Sequence, residues 1–82
     1  MELKDTIKLM QSADYKDRFK AEYWQGHERC ERLSRLLSDY EVGELNFTPK
    51  TPIPLLRTQL NIMEAYSVLL YDRAKIEGIE LK

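Results

Sequence analysis

Cysteine occurs once among the 82 residues, glycine and proline three times each, and no apolar run approaches the length of a membrane span. Each shortage removes a class of protein. A lone Cys30 closes no intrachain disulfide, which fits a reducing compartment. With His27 it exhausts the soft donors, short of the roughly four ligands a tetrahedral zinc site needs, so neither a metal nor a cofactor is expected. The glycines stand at 26, 43 and 78, too far apart for a phosphate-cradling loop. The N-terminus carries no basic stretch followed by an apolar run, and the expected location is cytosolic. Surplus charge is missing too. Thirteen basic residues face 14 acidic ones, 8 against 9 up to Glu41 and 5 against 5 beyond. Neither half has the positive excess that drives binding to long nucleic acid or to an anionic membrane.

What the chain does have is periodicity. Phe19, Tyr23, Gly26, Cys30, Leu33, Leu37 and Tyr40 recur at alternating steps of four and three, which keeps one seam of a helix facing a partner. Ser12, Ala13 and Asp14 precede this run, and Asp17 places negative charge in its first turn. The pattern predicts a helix over about 14–41, roughly 40 Å long at 1.5 Å per residue. Its outer face carries Asp14–Arg18, Glu28–Arg32 and Glu31–Arg35, each an acid four residues before a base. Gly26, costly by about 1 kcal/mol in a helix interior, implies close approach by another backbone or an aromatic ring. Leu3, Ile7 and Met10 give a short lead helix over about 3–11.

Pro49, Pro52 and Pro54 mark a connector over 42–52, which Phe47 is expected to anchor to the core, and the opening of a last helix over about 53–77. That helix has two apolar stripes, Leu56, Leu60, Met63 and Leu70 beside Leu55, Ile62, Tyr66, Leu69 and Ile76. One partner helix does not cover so wide a face. The lead helix and another subunit are expected to cover the surplus. Gly78 ends the helix, and Ile79 and Leu81 are placed to fold back on it. The expected fold is all-α, a single domain over 1–82: a short N-terminal helix and two long antiparallel helices, a hairpin that oligomerises.

Chemistry is harder to find. His27 and Cys30 share a helix face, but Cys30 lies in the apolar seam and nothing local orients a nucleophile. Carboxylates are interleaved with bases and do not converge. No catalytic residue is assigned and an enzyme is not expected. Aromatic and cationic residues do cluster at the start of the first long helix, where Tyr15, Lys16, Lys20 and Trp24 have the equipment to stack a base and neutralise a phosphate. Trp24 lies off the seam and is the candidate for an exposed contact. A second cluster, Lys50, Arg57 and Thr58, stands where the last helix opens and free amides favour an anion.

Several blocks carry a family resemblance. Asp14-Tyr15-Lys16-Asp17-Arg18-Phe19-Lys20-Ala21-Glu22-Tyr23, Leu45-Asn46-Phe47-Thr48-Pro49, Gln59 with Met63, Tyr66 and Leu69, and Arg73-Ala74-Lys75-Ile76-Glu77-Gly78-Ile79 resemble small phage proteins named for a crAss-like phage member. That resemblance implies a phage protein acting in the cytoplasm of a host bacterium. The layout, with Thr58-Gln59, Met63 and Arg73-Ala74 on the last helix, is also similar to phage anti-CBASS sponges. Those are small helical oligomers that sequester cyclic nucleotide immune messengers, between subunits and without cleavage. The resemblance implies a counter-defence protein in which Arg57 and Thr58 face a phosphate and Tyr15 with Lys16 or Lys20 holds a base and phosphate. Two other classes remain open: a protein-binding inhibitor of a host defence enzyme, of the anti-CRISPR kind, and a structural or accessory phage oligomer.

Overall fold

The computed structural model describes all 82 residues and is helical, without strands. The chain opens with a 3-10 turn over Leu3–Thr6 that runs into one α-helical turn, α1, over Ile7–Met10. Thr6 sits where the two meet. Its hydroxyl donates to the Leu3 carbonyl at 2.7 Å, a local bond of the kind that competes with regular α-helical pairing, and the residue is fully buried.

Helix α2 spans Tyr15–Glu41. The Asp14 carboxylate caps it by accepting the Lys16 amide at 2.9 Å, and the Ser12 hydroxyl donates to Asp17 at 2.8 Å, fixing the entry. At the far end Gly43 takes a left-handed φ of 75°, turning the chain away from the helix axis. The connector has no regular structure before α3, Ile53–Glu77, which Pro52 caps and Pro54 opens in the first turn. Gly78, again left-handed at φ 69°, stops α3, and the Ile79 amide returns to the Ala74 carbonyl at 2.8 Å.

The two long helices pack antiparallel, with Tyr15 beside Glu77 at one end and Glu41 beside Arg57 at the other. Phe19, Leu70, Ala74 and Ile79 form the buried cluster, joined by Tyr23 and Leu81, while Leu37 is buried farther along α2. The folded-back tail thus completes the core at the terminal end of the hairpin.

Several expectations are corrected. The lead turns pack on α2 and make no contact with α3, because Gln25 on α2 donates to the Thr6 hydroxyl at 3.0 Å and holds them there. They therefore do not cover the surplus apolar face of α3. Phe47 is 54% exposed, held in a shallow surface group with Tyr40, Leu45 and Pro49 and not in the core. Gly26 faces neither a backbone nor a ring. Its nearest neighbour is the Ser67 hydroxyl, 3.8 Å from where a Cβ would stand. Of the three spaced ion pairs on α2, Glu28–Arg32 forms at 3.3 Å, whereas Glu31 pairs with His27 and Arg18 donates to the Ser12 carbonyl.

Candidate functional site

The antiparallel closure gathers polar and aromatic groups where α2 begins and α3 ends. The Tyr15 hydroxyl donates to Glu77 Oε1 at 2.8 Å and accepts from Arg73 at 3.0 Å, while Arg73 also pairs with Glu77 at 3.1 Å. The Arg73 guanidinium lies 5.1 Å above the Phe19 ring, a cation–π contact. Two turns before Arg73 on α3, the Tyr66 hydroxyl donates to Glu22. These bonds shift the proton affinities of the groups they join. The Tyr15 hydrogen bond to Glu77 holds the Glu77 carboxyl below its ordinary range and raises the Tyr15 phenol, and the bond to Glu22 raises Tyr66. Lys16 Nζ donates to the Gly78 carbonyl at 3.4 Å, a cation on the negative end of the α3 dipole.

Around the corner the tail roofs a cleft of about 270 Å³ lined by Tyr23, Trp24, Tyr71, Lys75, Leu81 and Lys82 among others. Trp24 is not the free contact expected of it. Its indole N–H donates to the Leu81 carbonyl, and its ring stands edge-on to Tyr23, at 5.2 Å, and to His27, at 5.3 Å. Lys75 Nζ sits 4.5 Å above the Tyr71 ring. The cleft therefore offers aromatic faces with two cationic side chains, Lys75 and Lys82, against the one carboxylate of Glu80 within one small concavity, which suits a planar ligand carrying negative charge. No three His, Cys, Asp or Glu side chains converge as metal ligands would.

Of the sequence-derived candidates, Tyr15, Lys16 and Trp24 all touch the C-terminal end of the chain, and half-buried Lys20 lies between them on α2. Lys50, Arg57 and Thr58 are elsewhere. Arg57 pairs with Glu41 at 2.6 Å, Thr58 donates to the Pro54 carbonyl, and Lys50 is exposed in the connector, all at the opposite end of the hairpin. Sequence reasoning missed Arg73, Glu77, Tyr71, Lys75 and Lys82 as site residues. One signal was available: Arg73 and Glu77 are four apart on a helix, and a guanidinium interrupts an otherwise apolar stripe.

The family model Sequestin matches residues 13–76, more than three-quarters of the chain. No curated protein and no solved structure matches.

Proposed function

The chain belongs to the Sequestin family, and on that premise we propose that it is a phage counter-defence protein that binds a cyclic nucleotide immune messenger in the host bacterial cytoplasm and holds it intact. Sequestration is the sense of the family name. The observation that carries the ligand class is the tail cleft, where Trp24, Tyr23 and Tyr71 stand with Lys75 and Lys82.

Binding of this kind follows from the side chains present. A base slides over the Tyr71 ring and takes the place of the Lys75 ammonium, which moves to a phosphate; stacking on an aromatic face contributes about 1–3 kcal/mol per base. Lys82 supplies a second cation from the tail. Tyr15, Lys16 and Arg73 extend the positive, aromatic surface around the end of α2, and Glu77 is the internal carboxylate that a phosphate would displace from Arg73. The action is stoichiometric and not catalytic.

The test is recovery of ligand after the complex is heated. A cyclic dinucleotide or trinucleotide that stabilises the protein and returns chemically intact supports the proposal, and a hydrolysed product refutes it. Tyr71→Ala and Lys75→Ala, both at exposed positions, are expected to weaken binding by roughly 10- to 100-fold each while leaving the helical spectrum unchanged. A flat nucleotide panel together with stoichiometric capture of one host defence protein would favour the inhibitor class, for which the exposed apolar residues of α3 are the supporting observation.

A further inference from the structure

The tail that roofs the cleft brings one carboxylate to it. Glu80 lines the cavity with Tyr23, Trp24, Tyr71, Lys75 and Lys82, and no ion pair of the chain includes Glu80 or either of these lysines. The backbone is fixed on both sides of it. Ile79 is 6% exposed in the core and its amide is bound to the Ala74 carbonyl at 2.8 Å, while the Leu81 carbonyl accepts the Trp24 indole N–H. Between these two attachments stands an exposed carboxylate without an ion-pair partner.

A carboxylate at that position is not neutral toward the ligand. A phosphate gains from Lys75 and Lys82 and loses from a negative charge beside them. The carboxylate is favoured only where the ligand turns N–H groups toward it, because its two oxygens accept and donate nothing. The other polar side chains of the lining are equipped differently. The lysines only donate, the Trp24 N–H is taken by the tail, and the phenols of Tyr23 and Tyr71 have one oxygen each. Glu80 is thus the one lining side chain with two acceptor oxygens side by side.

A base lying on the Tyr71 ring presents its edge to groups around the wall of the cleft. Guanine alone among the common bases carries two adjacent donors on that edge, N1–H and the N2 amino group. Adenine sets its amino group beside the N1 lone pair, cytosine its amino group beside N3, and uracil its single N–H between two carbonyls. Each of these turns an acceptor toward a carboxylate oxygen, which repels it and leaves it unpaired. We propose that Glu80 is the specificity-determining residue of the cleft and selects guanine, accepting N1–H and the N2 amino group on its two oxygens. The inference rests on the nucleotide-binding function proposed above and adds which base the site takes.

The test is calorimetric titration of the full chain with two pairs of rings: cyclic di-GMP against cyclic di-AMP, and a cyclic trinucleotide with one guanine against its all-adenine analogue. In the pair that binds, the guanine ring is expected to bind roughly 10- to 100-fold more tightly, the discrimination of one bidentate base contact. Glu80→Gln offers one acceptor beside one donor, the complement of the adenine edge, and is expected to reverse that order. Glu80 is exposed, so the helical spectrum should not change. A merely structural role for Glu80 would weaken both members of a pair alike. Equal affinities in the wild type, or a guanine preference that survives Glu80→Gln, overturns the selection by Glu80 and leaves the proposed function standing. Binding of none of the four rings overturns that function, and the base selection with it.

Discussion

Gly26 costs α2 intrinsic helicity, and the structure gives no steric return for it. A Cβ there would make an ordinary contact with Ser67 Oγ at 3.8 Å, so Gly26→Ala is expected to raise unfolding free energy by about 1 kcal/mol, read as a higher urea midpoint at unchanged slope. The Tyr15–Arg73–Glu77 group predicts a pH profile. Glu77 has its folded-state pKa lowered, so its contribution is present above the ordinary carboxylate range and lost as pH falls through and below it. Tyr15 and Tyr66 are raised, so theirs is present up to the ordinary phenol range and lost as pH climbs past it. Thermal scans of Tyr15→Phe against wild type should therefore converge at both extremes and differ between them. These groups are exposed, so the differences are small.

At the scale of elements, the tail after α3 behaves as part of the core. Ile79 is 6% exposed against Phe19, Leu70 and Ala74, and Ile79→Ala is expected to cost about 2–4 kcal/mol, a large share of the stability of so small a domain. Gly78→Ala puts a Cβ on a left-handed residue and should cost about 1–2 kcal/mol, measured by the same denaturation. Much at this scale was legible beforehand. The all-helical architecture follows from the four-three spacing and the two stripes of α3, and the stop at Gly78 from its place after the last apolar step. The short lead element was legible too, but where it packs, the exposure of Phe47 and the lining of the site were not. Spacing reports which residues share a face of one helix, whereas the partner of Tyr15 lies 62 residues away and exists only once the hairpin closes. For the same reason Trp24, off the seam and read as free, found a partner in a tail whose path no periodicity describes.

At the scale of the whole molecule, seven of 82 residues are buried, too few for a robust monomer. Stability is therefore expected to depend on concentration: raising protein tenfold should move the midpoint of thermal unfolding upward, as mass action requires when association favours the folded state. No helix is long and apolar enough to cross a membrane.

The indole bond from Trp24 to the Leu81 carbonyl has an optical use. Trp24 is the sole tryptophan of the chain, so the intrinsic emission spectrum has a single indole source, situated at the joint between α2 and the last residues. Release of the tail would uncover that ring to water and shift its emission to the red. A nucleotide seated in the cleft would lie against the ring and quench it. Opening and occupancy thus have different spectral signatures, readable in the unlabelled wild-type chain.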